Sequence, residues 1–413
     1  MTPSHKKKMG QWVDSLTLWV GCNDSSSLLV HLNVLLYALC FWIQQPILGY
    51  LSTELGANPV MFGSLDTLVS VLSLVGGGWM GSLTDTKGAK FSIMVCQLGS
   101  LVMYLIMSCS TSFELLVLSR LPAIVQHTML CSQAALSKLS DPEKRSIAIG
   151  RLSLSYGIGM VVGSPVGGYA SQVLGYRGVA GLSALLSFVI VVVDILFLPD
   201  FSPTNTAPTT VVGMRERFQT FFKVIKQPKV AAVLLMIFPV TIGVSSFRSM
   251  FSLVGKSQFG MESKDMGVYI ACAALCGLLA NVFVVSIMSK RFGNMASLSS
   301  ACLLLAICYS ALSFVTSYPL LIAWTLPSTI ASTLLYTLSS SLMSLAVPED
   351  SVGTAISLSH ASRSFAGIVS PLIGGTIYEY FGFLGLGYTV ATCSLTSFVA
   401  IQLRYKSLEM KTD

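Results

Sequence analysis

The chain has 413 residues, of which 53% are hydrophobic and only 10% are charged, and its formal net charge is +7. About 25% of the residues in an average soluble domain are charged, so this composition excludes an ordinary soluble globular protein. The chain also lacks the glycine-rich phosphate loop and its lysine, which argues against an ATP-driven pump.

Apolar segments of about 20 residues follow one another along almost the whole chain. The hydrocarbon core of a bilayer, about 30 Å thick, is crossed by about 20 helical residues. The sequence therefore predicts an all-α membrane protein with twelve transmembrane helices. In chain order, the predicted spans are residues 28–50, 60–82, 91–109, 113–136, 146–172, 179–198, 230–254, 266–288, 296–316, 318–346, 354–378 and 383–403.

The basic residues outside these spans are concentrated in alternate loops, and the opposite loops contain only Arg177, Lys256 and Lys264. By the positive-inside rule, this asymmetry predicts that both termini are cytoplasmic. It also explains the net positive charge without nucleic-acid binding. We expect the plasma membrane as the location, with an intracellular membrane as the alternative. The residues assigned to the cytoplasm are Lys6, Lys7, Lys8, Lys87, Lys90, Lys138, Lys144, Arg145, Arg215, Arg217, Lys223, Lys226, Lys229, Lys290, Arg291, Arg404, Lys406 and Lys411.

Residues 1–27 are predicted to form a cytoplasmic tail. The apolar stretch at residues 9–20 is interrupted by Asp14 and is too short to span a bilayer, so we predict no cleavable signal peptide. This stretch either lies on the membrane surface or belongs to a disordered tail. All ten cysteines except Cys22 lie in or beside predicted spans, which favours free thiols, and no Cys/His spacing indicates a metal site.

A polar segment divides the predicted spans into two groups of six. It is rich in Thr and Pro and then becomes basic, as expected of a linker between two bundles. Ser164-Pro-Val-Gly-Gly168 in the first group is echoed by Ser370-Pro-Leu-Ile-Gly-Gly375 in the second. Two similar halves predict a secondary transporter with a site near the bilayer midplane. The predicted domains are a six-helix bundle at 28–199, a linker at 200–229, a second six-helix bundle at 230–403 and a cytoplasmic tail at 404–413.

The loop after the second predicted span reads Gly81-Ser-Leu-Thr-Asp85-Thr-Lys-Gly88. This spacing resembles the loop signature of the major facilitator superfamily, with Thr84 and Thr86 in place of the usual alanine and arginine. The resemblance implies the major facilitator fold of two six-helix bundles, and it implies a gating role for Gly81, Asp85 and Gly88. A carboxylate here can meet the positive N-terminus of another helix; the alternative is a solvated loop residue.

Glycines also recur at regular spacing along the fifth predicted span. Gly159, Gly163 and Gly167 lie on one helix face, where small residues allow a second helix to approach closely. Together with Gly150 and Gly168, they resemble the antiporter signature of the same superfamily, which implies that close packing here limits leakage. The residues assigned to gating in this helix are Gly159, Gly163, Gly167 and Arg151, which lies near the cytoplasm.

A narrower resemblance covers most of the chain. Ser119-Arg-Leu-Pro-Ala123, His127-Thr128, Pro142-Glu-Lys-Arg145 and Gly150-Arg-Leu152 are similar to organic cation transporter-like members of solute carrier family 22. That resemblance implies alternating-access transport of organic cations or drug-like amines, with proton antiport as the candidate form of coupling. Two alternatives stay open: a facilitative or organic-anion carrier, and a membrane protein that binds lipid or a partner without transport.

Polar side chains at helical spacing mark the candidate walls of a wet central cavity, because a polar face in hydrocarbon must contact protein or water. Buried arginines carry particular weight, since each costs about 2.5–3.5 kcal/mol at the centre of an inserted helix. A single Ser or Thr in such a stripe is more simply interpreted as a hydrogen bond between helices. We predict a substrate site formed by Asn33, Tyr37, Gln44, Arg120, His127, Arg248, Tyr336, His360 and Arg363.

Proton coupling needs a group that gains and loses a proton inside the bundle. Asp66, His127 and His360 are the candidates, and a structural histidine is an equally good interpretation of either imidazole. Asp66 and Arg120 lie at similar depth, so we predict that they pair. The first span contains no acidic residue, which weakens the case for proton antiport, and Asp194 is expected at the membrane interface.

We expect no enzymatic activity, no cofactor and no metal. The predicted partners are a small organic solute, protons as the candidate coupled ion, and membrane lipid, with no nucleic acid. The predicted state is a monomer.

Overall fold

A computed structural model of the protein describes residues 25–139, 145–198, 227–347 and 352–409. These residues are almost entirely helical and include no strand, which confirms the predicted all-α class. The N-terminal tail up to residue 24, residues 199–226, which include most of the predicted linker, and residues 410–413 lie outside the described part. The predicted domain boundaries therefore remain predictions.

The helices are mostly longer than 17 residues and are joined by short connections. The first part of the chain contains α1 Ser25–Glu54, α2 Pro59–Lys87, α3 Ala89–Ser108, α4 Phe113–Leu118, a 3-10 turn Leu121–Val125, α5 Thr128–Leu139 and α6 Arg145–Phe197. The second part contains α7 Pro228–Phe259, α8 Ser263–Leu279, a π-helical turn Ala280–Val284, α9 Val285–Phe292, α10 Asn294–Ser310, a 3-10 turn Ala311–Phe314, α11 Tyr318–Leu345 and α12 Val352–Glu409.

Within the described residues, nine helical segments are long and apolar enough to cross a bilayer. Two of them exceed a single crossing, since α6 has 53 residues and α12 has 58. Each is kinked at a glycine with positive φ, 67° at Gly175 and 64° at Gly382, a conformation that glycine adopts without strain. Each therefore joins two predicted spans, while α10 is shorter than a typical crossing. The total of twelve crossings remains a prediction.

The span predicted at residues 113–136 is not one continuous α-helix. α4 ends at Leu118, the 3-10 turn follows, and α5 begins only at Thr128. The segment Phe113–Ser137 is still long and apolar enough to cross a bilayer, in agreement with the predicted span. Its backbone departs from a regular α-helix because Pro122 has no backbone N–H to donate and its ring disfavours a regular helical turn. As a result, Arg120 and His127 lie in non-α backbone between two helical segments.

Of the described residues, 25–48, 72–139 and 145–198 form the first of two compact units, called unit 1 below. Its described core joins five helices through Val30 of α1, Met80 of α2, Ile93 of α3, Leu136 of α5 and Leu152 of α6. All five side chains are fully buried. This apolar core holds the polar side chains of unit 1 in fixed positions.

The glycine face of α6 packs directly against α1 in unit 1. A Cβ atom built on Gly163 would lie 2.7 Å from the carbonyl oxygen of Leu39, and one on Gly167 would overlap the backbone of Ile43. Close helix approach at this face, as predicted from the spacing of small residues, is therefore confirmed. The gating role assigned to these glycines stays a prediction.

Of the described residues, 49–71, 227–347 and 352–409 form the second compact unit, called unit 2. Its core contains an aromatic cluster in which Phe247 of α7 lies 4.9 Å from Tyr309 of α10, measured between ring centroids. Tyr309 lies 5.0 Å from Trp324 of α11, and Phe247 also contacts Phe383 of α12. Aromatic packing, edge-to-face in the first two contacts, therefore connects four helices of this unit.

Unit 2 also includes the end of α1 and the first part of α2. The Tyr50 hydroxyl donates to the carbonyl oxygen of Met261 at 2.7 Å, and the Thr67 hydroxyl donates to the carbonyl oxygen of Ile368 at 2.8 Å. Gly63 lies so close to Pro371 that an added Cβ would overlap its carbonyl group. Segments 49–71 thus pack tightly against α7, the turn after it, and α12.

Candidate substrate site

The interruption between α4 and α5 positions a buried arginine in unit 1. Arg120 is 4% exposed, and its guanidinium donates to the side-chain oxygen of Gln44 on α1 at 3.4 Å. It also contacts the sulfur atoms of Met103 and Met107 on α3 at 3.8 and 3.3 Å. Interrupted helices in membrane proteins often form binding sites, because their freed backbone groups line a cavity or are satisfied by protein. The structure thus brings together two predicted site residues, Arg120 and Gln44.

His127 lies at the other end of the same interruption. Its imidazole is half-buried and approaches Gly76 and Gly77 of α2, where an added Cβ on Gly76 would lie 2.9 Å from Nε2. Among the described residues, His127 Nε2 has no hydrogen-bond partner. The imidazole is therefore held against a glycine surface, with one ring nitrogen buried and without a hydrogen-bond partner in the described part of the chain.

A second cluster lies in unit 2, between α11 and α12. The Arg363 guanidinium donates to the Ser340 hydroxyl at 3.1 Å and to the carbonyl oxygen of Tyr336 at 3.5 Å. It also lies over the Tyr336 ring, 5.9 Å from the centroid. The predicted site residues Tyr336 and Arg363 are therefore in contact, and the side chain of Arg363 is only half-buried.

Asn33 and Tyr37 occupy the interior of unit 1. The Asn33 amide donates to Asp194 Oδ1 at 2.5 Å and accepts from the Gln97 amide at 2.8 Å. Tyr37 is 8% exposed and stacks on Phe41 with 6.4 Å between ring centroids. Asn33 thus uses both ends of its amide in contacts between helices, and a role in substrate binding stays a prediction.

The other predicted site residues belong to unit 2. Arg248 on α7 is exposed on unit 2, and Asp66 on α2 is half-buried. His360 lies on α12, but its side chain is outside the described residues. Asp66 belongs to unit 2 and Arg120 to unit 1, so their pairing stays a prediction.

The loop motif lies at the junction of α2 and α3. Gly88 has φ 89° and directly precedes α3, so α2 and α3 meet at a sharp bend that favours glycine. Asp85 is exposed in the last turn of α2, and a Cβ on Gly81 would meet nothing within 4 Å. Arg151 on α6 is half-buried. The structure thus gives these gating candidates a defined position but leaves their role as a prediction.

Sequence reasoning missed two polar side chains of unit 1. Gln126 donates to Ser100 at 3.2 Å beside the interruption, and Gln97 belongs to the Asn33 cluster. Asp194 was expected at the membrane interface, and that depth stays a prediction; its side chain, which is 2% exposed, faces neighbouring helices. The depth of a residue along a span does not say whether its side chain faces a neighbouring helix. An isolated polar residue within an otherwise apolar helix is the sequence feature that could have identified these side chains.

A family model described as Major Facilitator Superfamily matches residues 30–317 and 258–410. The chain belongs to the Major Facilitator Superfamily. Membership confirms the predicted major facilitator fold. It also establishes the protein as an integral, multi-pass membrane transporter of small solutes rather than an enzyme.

Relatives within the superfamily support the narrower resemblance to solute carrier family 22. Solute carrier family 22 member 18 of Rattus norvegicus is 29% identical over 402 residues, covering 94% of this chain and 95% of the relative. Tetracycline resistance protein, class B, of Escherichia coli is 22% identical over 374 residues, covering 86% of this chain and 89% of the relative. The predicted resemblance to solute carrier family 22 member 18 is therefore confirmed.

A solved superfamily structure has the same fold. The crystal structure of a bacterial homologue of the human lysosomal transporter Spinster, in an inward-facing and occupied conformation, matches with a TM-score of 0.76. The match covers 93% of this chain and 96% of that chain at 14% sequence identity. At this identity the similarity concerns the fold alone.

Proposed function

We propose that this transporter carries small organic solutes that bear an acidic group, and that Arg363 binds this group. The observation that carries the proposal is the environment of the guanidinium. It is oriented by Ser340 and Tyr336, yet no carboxylate within the described residues lies at ion-pair distance from it. A half-buried cation without an anionic partner favours an anionic ligand.

The chemistry of Arg363 suits a planar acid. A guanidinium offers several N–H donors in a fixed plane and binds carboxylates through two parallel hydrogen bonds. The Tyr336 ring and the Ser340 hydroxyl restrict its rotation, so less side-chain entropy is lost when a ligand binds. Donors not used by Ser340 and Tyr336 remain for the solute.

The test uses purified protein in liposomes and matched solutes that share one aromatic scaffold, one with a carboxylate and one with an amine. We expect uptake of the carboxylate. Loss of a charged hydrogen-bond donor in Arg363→Gln costs about 2 kcal/mol, so the half-saturation concentration should rise about 30-fold. Arg363→Lys should be intermediate. The control is Arg291→Gln, at an exposed arginine of α9, which should transport like the unmodified protein. Carboxylate uptake that is unchanged in Arg363→Gln contradicts the proposal.

The second candidate is export of organic cations or drug-like amines in exchange for protons. The half-buried Asp66 and the unpartnered His127 Nε2 favour it, since either can carry a proton inside the bundle. In this case the amine is transported, and an imposed pH gradient accelerates it. Asp66→Asn should abolish the response to the gradient if Asp66 carries the proton. If Asp66 pairs with Arg120, neutralising both should restore folding without restoring coupling.

The same liposomes distinguish the remaining alternatives. A facilitative carrier moves its solute down a concentration gradient with no dependence on pH. A protein that binds lipid or a partner without transport shows solute binding, if any, without flux. His360 becomes the next proton carrier to test if neither Asp66→Asn nor His127→Gln alters the pH dependence.

We further propose that both termini are cytoplasmic, that the protein acts as a monomer and that it resides in the plasma membrane, with an intracellular membrane as the alternative. The distribution of Lys and Arg among the loops supports the orientation, because basic loops are retained on the cytoplasmic side.

A further inference from the structure

Three polar side chains from three helices meet inside unit 1. Gln97 of α3 donates to the side-chain oxygen of Asn33 of α1 at 2.8 Å, and the Asn33 amide donates to Asp194 Oδ1 of α6 at 2.5 Å. Their exposed fractions are 0% for Gln97, 3% for Asn33 and 2% for Asp194. The hydrogen bonds hold the carboxyl group in one orientation between α1 and α6.

The second carboxyl oxygen has no comparable contact. Within the described residues, Asp194 Oδ2 and Gln97 Oε1 have no hydrogen-bond partner, and no Lys or Arg nitrogen lies within ion-pair distance of Asp194. Lys90 on α3 acts on Asp194 electrostatically from farther away. A crevice beside the carboxyl group is otherwise apolar. Its lining consists of Leu29, Leu32, Asn33, Leu36, Ile190, Val193, Asp194 and Leu198.

Asp194 is buried, and its Oδ2 has no hydrogen-bond partner within the described residues. These two facts restrict what can bind to the carboxyl group. An ionised carboxylate in apolar surroundings is costly unless it is paired or gives up its charge. A metal ion would need further ligands, and the described residues contain no group of three His, Cys, Asp or Glu side chains that could hold one. A proton needs no additional ligand and removes the charge entirely.

We propose that Asp194 is a reversible proton-binding site, oriented by Asn33 and Gln97. It is a different site from the coupling candidates Asp66, His127 and His360. The proposal deepens the proposed function, because it names a place where a pH gradient acts on the transporter, and it rests on that function only for the use of the proton in transport.

The carboxyl group lies near one end of the helices that hold it. Asp194 lies one turn before the end of α6 at Phe197, and Leu29 of the crevice lies one turn after the start of α1. Leu32 in the same crevice is 43% exposed. The carboxyl group is therefore buried but close to the surface of unit 1, and Lys90 is the charged group that influences its ionised form.

The experiment follows the carboxyl group itself in the purified full-length protein, without any solute. Infrared difference spectra are recorded between about pH 5 and pH 9, and exchange into heavy water identifies the C=O stretching band of a protonated carboxyl group. The unmodified protein should show such a band, lost as the pH rises. Asp194→Asn keeps an oxygen to accept from Asn33 and should lack the band. The control Glu114→Gln, at a carboxyl group exposed at the start of α4, should retain it.

Asp194→Glu keeps a carboxyl group and provides a second variant if Asp194→Asn does not fold. It should titrate with a shifted midpoint, because the longer side chain cannot occupy the same hydrogen-bond position. The proposal is overturned if the titrating band is the same in Asp194→Asn as in the unmodified protein, or if Asp194→Glu leaves it unshifted. Since no transport is measured, a failure of the proposed function does not affect this result.

Discussion

Asp85 shows how one glycine can fix the position of a charged residue. Gly88, with φ 89°, turns the chain from α2 directly into α3, so the last turn of α2 has little freedom and Asp85 is presented on its exposed side. A carboxylate presented in this way can accept hydrogen bonds from the N-terminus of another helix when the transporter changes conformation. The predicted role of Asp85 depends on the negative charge of its carboxylate rather than on the shape of the side chain.

We therefore expect Asp85→Asn to lower transport while leaving membrane insertion intact. A lost charge-assisted hydrogen bond of about 1.5 kcal/mol corresponds to about a tenfold reduction in the population it stabilises. The measurement is solute flux normalised to the amount of protein in the membrane. Thr86→Val is the matched control, because among the described residues the neighbouring Thr86 hydroxyl bonds only within its own helix, to the carbonyl oxygens of Ser82 at 2.9 Å and of Leu83 at 3.3 Å. Equal flux in Asp85→Asn and Thr86→Val rules out the latch role.

At the scale of residues, the sequence identified polar helix faces more reliably than it identified the partner of each polar side chain. Tyr336 and Arg363 were assigned to one site from polar stripes, and they are in contact. The bond between Asn33 and Asp194 joins residues 161 positions apart, and nothing in either local pattern specifies it. Periodicity identifies the polar face of a helix, but the partner of that face depends on how the helices pack.

The helices were predictable wherever the length of an apolar segment is enough to indicate a membrane-spanning helix. Long apolar segments predicted the helices, and the glycine spacing predicted the close contact of α6 with another helix, which is α1. The interruption between α4 and α5 was not predicted, because hydropathy averaged over about 20 residues does not register a single proline such as Pro122. The joining of two predicted spans through Gly175 was missed for a related reason, since one residue with positive φ bends the chain without a polar loop.

The contact between α6 and α1 gives a prediction for this pair of helices. Gly167→Ala places a methyl group against the backbone of Ile43, which cannot move aside as a flexible side chain could. Overpacking of this kind costs about 1–3 kcal/mol, more than the roughly 1 kcal/mol that alanine gains over glycine in a helix. We expect a lower thermal midpoint in detergent and lower transport.

Gly181→Ala in the same helix is the control for this substitution. An added Cβ there would lie 3.9 Å from Ser108, an ordinary contact, so its thermal midpoint should stay the same or rise. Gly163→Leu should resemble Gly167→Ala, since the Cβ alone comes within 2.7 Å of the Leu39 carbonyl oxygen. Stability of Gly167→Ala equal to that of Gly181→Ala would show that the two helices separate freely at this face.

For the whole molecule, the charge distribution predicts which ends of the helices face the cytoplasm. The connection between α1 and α2 contains no Lys or Arg and includes the exposed Gly56 and Asn58. An epitope inserted after Ala57 should be detected by antibody on the non-cytoplasmic side, and an epitope at the C-terminus only on the cytoplasmic side. In intact cells the first is accessible without permeabilisation if the protein is in the plasma membrane. Detection of both epitopes on the same side contradicts the predicted orientation.

Alternating access makes a different demand on the whole molecule, because contacts that close a pathway in one state must open in another. In unit 2, the segment of α2 that contains Thr67 is held against α12 at Ile368. A disulfide between cysteines introduced at these two positions should fix that contact and stop transport, and a reducing agent should restore transport.

The control joins Val240 of α7 to Ser397 of α12, whose backbone N–H and hydroxyl are 3.1 Å apart. These helices belong to the same predicted bundle and need not separate, so this cross-link should leave flux nearly unchanged. Single-cysteine variants under the same oxidation account for the native thiols. Full flux through a protein completely cross-linked between positions 67 and 368 means that this contact stays closed throughout the cycle, and the opening would then have to lie elsewhere.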